Sequence, residues 1–298
     1  MDLRRIRHFT VLAETLNFRR AAEKLHMAQP PLSVSIQKLE AELGVRLFNR
    51  DSSGVSLTPG GLAALAEAKK LLFHGGQMGE AARTALDGTG GTLNIGFVGS
   101  ASYGMLQKLL PLFRAEYPGV ELVLREETSV NIMQQLEDRS LDVGLVRVPL
   151  LRPSQASLVP LLREEYVAAL PRGNPLAGIG LLSLSDMANE SFVMYSPGHA
   201  AGLHSTAMFA CQQAGFIPRV AQQAIQVQTV LALVESGLGV ALVPAVMQRF
   251  ASDRIVYRAF TDFPASASIG LSLACMAGSE SPAAARFRAV ASREFAQG

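Results

Sequence analysis

The sequence predicts an α/β chain in two parts, a small helical segment closed by a two-stranded hairpin and a larger domain of two α/β lobes. Three observations carry that prediction. Apolar residues recur at helical spacing up to about position 87, interrupted near position 50 by a strand–turn–strand pattern. Strand and helix patterns alternate from position 93 onward. Hydrophobic residues make up 49% of the 298 positions and charged residues 17%, a balance that fills packed cores and excludes global disorder.

Leu3, Ile6, Phe9, Leu12 and Leu16 share one helical face with arginines between them, which predicts a first helix. Asn17 stands as an N-cap ahead of Phe18-Arg19-Arg20-Ala21-Ala22-Glu23-Lys24-Leu25, where the two alanines let a neighbouring helix approach closely. His26-Met27-Ala28 makes a turn. A third helix opens at Gln29-Pro30-Pro31, since a first turn needs no intrahelical donors. On it Leu32, Ile36, Leu39 and Leu43 form a core stripe, and Gln29, Ser33 and Gln37 form a second stripe on another face. Gly44 ends the helix. Val45-Arg46-Leu47-Phe48 and Val55-Ser56-Leu57 read as short strands around a turn at Asp51-Ser52-Ser53-Gly54.

Net charge over the whole chain is only +2, but residues 1–58 hold nine Lys/Arg against six Asp/Glu. That bias suits a polyanion. A polar stripe on an isolated helix is usually a solvated face. Following a short helix and a tight turn in a basic segment, it reads as the recognition helix of a winged helix-turn-helix. Gln29, Ser33 and Gln37 then face base edges in the major groove, with Arg50 and the hairpin turn near phosphate. Arg19, Pro30, Val34 and Lys38 complete the candidate DNA-binding set.

The runs Phe18-Arg19-Arg20-Ala21-Ala22, Gln29-Pro30-Pro31-Leu32-Ser33, Ile36-Gln37-Lys38-Leu39-Glu40, Leu43-Gly44, Leu47-Phe48-Asn49-Arg50 and Leu57-Thr58-Pro59-Gly60-Gly61 resemble the LysR-type transcriptional regulators in order and spacing. There are departures. Val34 stands where the family usually has Arg, Ser53 where the wing often has Arg, and Gly60 where Ala is usual. Two missing cations weaken the expectation of strong non-specific phosphate affinity, and Val34 is free to touch a thymine methyl. The resemblance implies a regulator that binds a dyad-symmetric operator in double-stranded DNA, senses a small molecule and contacts RNA polymerase.

Thr58 reads as an N-cap with Pro59 at the first helical position of a linker helix over 59–87. Leu62, Leu65, Ala66, Leu72, Phe73, Met78, Ala82 and Leu86 continue its apolar pattern, and so long a stripe outside a compact domain predicts pairing with another chain. In the family this helix makes the dimer, which the resemblance implies here as dimer or tetramer. Gly75-Gly76 costs about 1 kcal/mol per Gly against Ala and predicts a kink. Residues 88–92 read as a hinge.

From Leu93 the chain reads as an effector-binding domain, with lobe I over 93–161 and 266–298 and lobe II over 162–265. Strands at Leu93–Val98, Val120–Arg125 and Asp142–Val146 alternate with helices at Met105–Tyr117 and Val130–Arg139, the rhythm of an open, mostly parallel sheet. The second lobe includes a strand at Val167–Leu170, helices at Leu203–Ala214 and Val227–Ser236, and a strand at Val240–Val243. Ile269–Cys275 and a final helix return to the first sheet. Leu141-Asp142-Val143-Gly144-Leu145-Val146 and the run Ser236 to Pro244 resemble the family's effector domain, which is similar to periplasmic solute-binding proteins.

Two such lobes leave a cleft for a ligand. Gly99-Ser100-Ala101-Ser102 and Thr128-Ser129 follow strands and precede helices, and offer N–H groups and hydroxyls to an anion. His199, Gly202 and Leu203 present a similar seat from the other lobe, and Arg147 can pair with a carboxylate. Each Ser or Thr is equally readable as a plain N-cap. An organic anion, a carboxylate above all, is the expected effector.

Several function classes are excluded. No Gly-x-Ser-x-Gly elbow or Walker loop is present, and the five histidines lack catalytic or metal-ligand spacing, so neither an enzyme nor a metal or other cofactor is expected. Cys211 and Cys275 read as packing residues, with a peroxide-sensing pair as the alternative. A transport binding protein would leave the first ninety residues unemployed. Met1 leads into a charged amphipathic stretch, and the longest apolar run, Val230 to Met247, is broken by Glu235, Gly237, Gly239 and Pro244. A cytoplasmic protein without a membrane partner is therefore expected.

Overall fold

The computed structural model describes residues 2–51, 54–87, 90–250, 252–278 and 280–295. The wing-turn residues Ser52 and Ser53 and the hinge residues Gly88 and Thr89 lie outside the described residues. The chain forms two compact units, Met1–Gly88 with Asp138–Ser140 and Thr89–Glu137 with Leu141–Gly298.

The first unit contains α1 (Leu3–Thr15), α2 (Phe18–Lys24), α3 (Gln29–Leu43), the hairpin β1 (Phe48–Asp51) and β2 (Gly54–Leu57), and α4 (Pro59–Asp87). The predicted caps form. Asn17 Oδ1 accepts the N–H groups of Arg19 and Arg20 at 3.0 and 3.1 Å. Thr58 Oγ1 accepts the Gly61 N–H at 2.9 Å, and Gly44 closes α3 with φ +69°. Ile6, Phe9, Leu12, Leu32, Ile36, Leu39 and Phe48 make the core, with Phe9 and Phe48 edge to face at 5.6 Å.

Four expectations change here. Leu3, Leu16 and Leu43 are exposed, because they lie at helix ends beyond the reach of the core. The first strand begins at Phe48 rather than Val45, since the Leu47 N–H goes to Glu40 Oε1 at 2.8 Å and not to a strand. Part of the α4 stripe packs back on its own unit: Ala68 is buried and Leu65 and Leu72 pack on the same core. The helix also runs unbroken through Gly75-Gly76. Leu3 rests against Gly75, where an added Cβ would lie 3.0 Å from its Cδ1, so the small residue admits α1. Leu62, Leu71 and Met78 remain exposed.

The second unit runs β3 (Gly91–Phe97), α5 (Met105–Glu116), β4 (Val120–Glu126), α6 (Ser129–Glu137), β5 (Val143–Val148), β6 (Ala156–Glu164), β7 (Tyr166–Pro171), β8 (Leu181–Leu182) and β9 (Ser191–Tyr195). It continues through α7 (Ala201–Gln213), β10 (Arg219–Ala224), α8 (Val227–Glu235), β11 (Ala241–Pro244), β12 (Ile255–Phe260), β13 (Ile269–Met276) and α9 (Pro282–Phe295). One sheet has the order β4-β3-β5-β13-β6 and the other β11-β7-β12-β8, with β9 and β10 as a separate parallel pair. β3 begins two residues earlier than the sequence predicts, inside the expected hinge.

The sheets are less parallel than expected. β3 runs parallel to β4 and β5, but β13 is antiparallel to both β5 and β6. In the second lobe β7 is antiparallel to β11 and β12. The reason is the crossing itself. The chain leaves the first sheet on β6, enters the second on β7 after one intervening residue, and returns through β12 to β13, so that β13 opposes the other strands of its sheet and β7 those of its own. β6, β8, β9, β10 and β12 escape the sequence reading, β6 because Pro160 interrupts it and β10 because its Arg219-Val220-Ala221-Gln222-Gln223 run is exposed.

Each lobe has its own core. Cys211 is buried in one and Cys275 in the other. Burial pushes their thiols up to about 12 and about 11, which disfavours the reactive thiolate. The two cysteines therefore stand as packing residues in separate cores. Among the described residues no helix is long and apolar enough to cross a membrane, and no group of His, Cys, Asp and Glu could hold a metal ion.

Candidate functional site

Two surfaces gather the candidate residues. The first is the outer face of α3. Gln29, Pro30, Val34, Gln37 and Lys38 are exposed and Ser33 is half-buried, while Leu32, Ile36 and Leu39 point into the core. Pro30 and Pro31 remove two of the N–H groups that a first turn would present, and Ala28 supplies no side-chain cap. An anion at this helix start meets fewer donors than usual, which leaves recognition to the side chains. Arg19 is exposed beside it and pairs with Glu23 at 3.2 Å.

Arg50 departs from its expected place. Its Nη2 lies 3.3 Å from Glu40 Oε2, and its guanidinium stacks over the Phe18 ring at 4.8 Å. Glu40 also accepts the N–H groups of Leu47 and Phe48 at 2.8 and 3.2 Å. Arg50 is thus a tie between α2, α3 and the hairpin, where the sequence reading gave it a phosphate. Glu40, which that reading missed as a functional centre, fixes the hairpin to α3. Behind α3, the buried His8 of α1 has its Nδ1 2.8 Å from Ser35 Oγ. Burial, aided by Arg4, holds its pKa below the ordinary value.

The second site is a cavity of about 550 Å³ between the lobes of the second unit. Gly99, Ser100, Thr128, Ser129 and Arg147 line it from one lobe, and His199, Gly202 and Leu203 from the other. Ala101 and Ser102 do not. Ala101 is fully buried in the lobe core and Ser102 Oγ donates to the Gly99 carbonyl at 2.6 Å, so the short helix turns both away.

Arg147 is buried, and its carboxylate partner is internal. Its Nη1 pairs with Glu164, its Nη2 donates to Ser100 Oγ at 2.6 Å, and its Nε has no hydrogen-bond partner among the described residues. A guanidinium this deep requires a paired carboxylate. Glu164 Oε1 also accepts the Val246 N–H at 3.3 Å. Ser129 Oγ accepts the Arg147 N–H at 2.9 Å, and Thr128 Oγ1 accepts the Asn131 N–H at 3.2 Å, so both hydroxyls are caps or braces as well as cavity lining.

The opposite wall is set by α7. Its N-cap residue, Ala200, offers no side-chain cap, so its first-turn N–H groups lack the usual acceptor. Gly202 is required there, because a Cβ would stand 2.0 Å from the Pro149 carbonyl oxygen of the other lobe. Tyr166 Oη holds this turn by donating to the Leu203 carbonyl at 3.0 Å. His199 is exposed at the rim, with Nδ1 3.4 Å from Ser196 Oγ. Tyr195, absent from the sequence reading, lines the cavity with a buried hydroxyl that has no partner among the described residues. Burial keeps its pKa well above the ordinary value, so it stays a neutral donor.

Comparison with known proteins agrees with this division. The model described as "Bacterial regulatory helix-turn-helix protein, lysR family" matches residues 3–62, and that described as "LysR substrate binding domain" matches residues 86–296. The regulator AlsR of Bacillus subtilis is 33% identical over 258 residues, covering 87% of this chain and 85% of its own. The Hca operon transcriptional activator HcaR of Escherichia coli is 33% identical over 297 residues, covering 99% of both chains. The crystal structure of CbnR, a LysR family transcriptional regulator, superposes with TM-score 0.80 at 26% identity over 99% of both chains. Full-length CbnR complexed with its target DNA gives 0.78 at 26% identity over 98% of this chain and 99% of that one. These relatives are transcriptional regulators, not enzymes. The chain belongs to the LysR family and is a DNA-binding transcriptional regulator with an effector-binding domain.

Proposed function

We propose that this regulator binds a dyad-symmetric operator as a dimer or tetramer in the cytoplasm, and that a small organic anion, a carboxylate, controls it from the interlobe cavity. Gln29, Ser33, Val34 and Gln37 read base edges, with Arg19, Pro30 and Lys38 beside them. The exposed Leu71 and Met78 of α4, seven residues apart on one face, supply apolar contacts for pairing with a second copy. RNA polymerase is the partner that reads the outcome. The domain division that goes with this reading is a DNA-binding domain over 1–58, a linker helix, a short hinge and the two-lobed remainder.

One observation carries the effector class. Among the lining residues, Tyr195 and Arg147 carry donors, Oη and Nε, that are buried without partners among the described residues, and Ser100, Thr128, Ser129 and the uncapped start of α7 line the same cavity. A carboxylate brings acceptors and no donors, which is what such a set lacks. Because the walls belong to two lobes, a ligand that touches both favours their closed arrangement and shifts the equilibrium by its differential affinity.

Footprinting on DNA upstream of the gene and its neighbours tests the first half. Protection of a dyad site, lost in the Ser33→Ala, Gln37→Ala double variant, is expected; an unchanged footprint sinks the assignment of α3. A thermal-shift panel of aromatic and aliphatic carboxylates, each beside its neutral amide, tests the second. A carboxylate that stabilises the wild type should lose that effect as its amide and in Tyr195→Phe. Stabilisation by amide and acid alike would refute an anion site.

A further inference from the structure

Val34 is out of character on the outward face of α3. Leu32, Ile36 and Leu39 already supply the apolar contacts of this helix, and Val34 does not pack on their core. It is 48% exposed, among the exposed polar side chains of Gln29, Gln37 and Lys38. Pro30, one turn earlier at the i−4 position, is exposed as well. The two make a short apolar strip with the stripe of Ser33 and Gln37 along one side and Lys38 on the other.

Val34 offers neither donor nor acceptor, so it can serve recognition only by apolar contact. A β-branched side chain in a helix is held close to one rotamer, which fixes the position of that surface. In the major groove the apolar feature on a base edge is the C5 methyl of thymine. We propose that Val34, backed by Pro30, reads a thymine methyl in each half-site, so that one step of the preferred DNA sequence is set by a methyl group. The inference rests on the reading that α3 enters the major groove. Ser33 and Gln37, in the stripe beside it, are placed to read hydrogen bonds at the same or the adjoining base pair.

The test uses the full chain and DNA chosen by the protein itself. Sites are enriched from a randomised duplex pool, and each thymine of the resulting half-site is replaced in turn by deoxyuridine, which deletes the methyl and keeps every hydrogen bond. Affinity is read by fluorescence anisotropy at fixed salt. One position should weaken wild-type binding about three- to fivefold per half-site, the scale expected for losing one buried methyl. Val34→Ala, a change at an exposed position, should bind the thymine and uracil duplexes alike. Uracil without effect at every position overturns the proposal, and so does a penalty that persists in Val34→Ala. Failure to enrich any sequence would instead overturn the underlying placement of α3 on DNA.

Discussion

Helix α3 and the interlobe cavity hold their polar groups in opposite ways. On α3, Gln29, Gln37 and Lys38 come from one element and stand in solvent, where water meets every donor and acceptor. In the cavity, Ser100, Ser129, Arg147 and Tyr195 come from four separate stretches, and two of their polar atoms are buried with no partner among the described residues. A donor in water can be altered without disturbing the fold. A donor withdrawn from water is tied into the packing, so the same group serves stability and recognition together. Substitution should therefore separate the two properties in the first unit and mix them in the second.

The largest expected effect is at Glu164. Glu164→Ala leaves the Arg147 guanidinium buried without a counter-charge, which costs about 3–5 kcal/mol. The midpoint of urea unfolding of the second unit should fall accordingly, and Arg147→Ala should fall with it. Arg147→Ala is for that reason a poor test of ligand contact, and Tyr195→Phe is the better one. A Glu164→Ala protein with an unchanged midpoint would break the comparison at its strongest point.

Glu40 sharpens the comparison, because it is a half-buried polar centre inside the DNA-binding unit. Its removal strands the N–H groups of Leu47 and Phe48 and releases Arg50. Glu40→Ala should cost about 2–3 kcal/mol, measured as the loss in the first calorimetric transition, and should weaken DNA binding as the hairpin loosens. Normal stability with lost binding would mean that Glu40 touches DNA instead.

These two acids also mark where the sequence stops being legible. Caps are local, so Asn17 and Thr58 could be placed from their neighbours alone. The stripes of α3 and the cores of both lobes follow from spacing in the same way. Glu40 carries a weak signal, an acid directly after a core leucine and shortly before the hairpin, but its three partners depend on how the hairpin folds back. Arg147 and Glu164 are harder still. They lie on β5 and β6, which do not pair with each other. β13 runs between them, with Leu271 opposite Arg147 and Ile269 opposite Glu164, and its residues come about a hundred positions later in the chain. Tyr195 closes the run Ser191-Phe192-Val193-Met194-Tyr195, which looks like core throughout. Only the arrival of α7 makes Tyr195 part of a cavity wall.

A smaller effect is expected on the exposed face. Ser33→Ala or Gln37→Ala should change base discrimination by about 1–3 kcal/mol, as a lost base-edge contact does. Unfolding should move by no more than about 0.5 kcal/mol, as for other surface positions. Binding to the enriched site and to scrambled DNA, measured beside denaturation, gives both numbers. A variant that loses stability in step with specificity would show that this face is not a free surface.

The smallest effect concerns pH, and here the two units should respond with opposite sign. Burial, with Arg4, lowers the pKa of His8 in the folded state, so the fold prefers the neutral ring. Its contribution is fully present above the unfolded value of about 6.5 and is lost as pH falls through the lower folded value. Burial raises the pKa of Asp142, which outweighs the hydrogen bonds from Asn94 and Ser281. That contribution is present below the unfolded value of about 3.9 and is lost as pH rises through the raised folded value. Between pH 7 and 5.5 the first unit should therefore melt progressively earlier through His8, and His8→Gln should flatten that trend. The hydrogen bond to Ser35 makes the result informative for function, because it joins α1 to α3, the helix proposed to face DNA. A slope unchanged in His8→Gln would mean that other groups carry the acid sensitivity, and that the contact between His8 and Ser35 is indifferent to protonation.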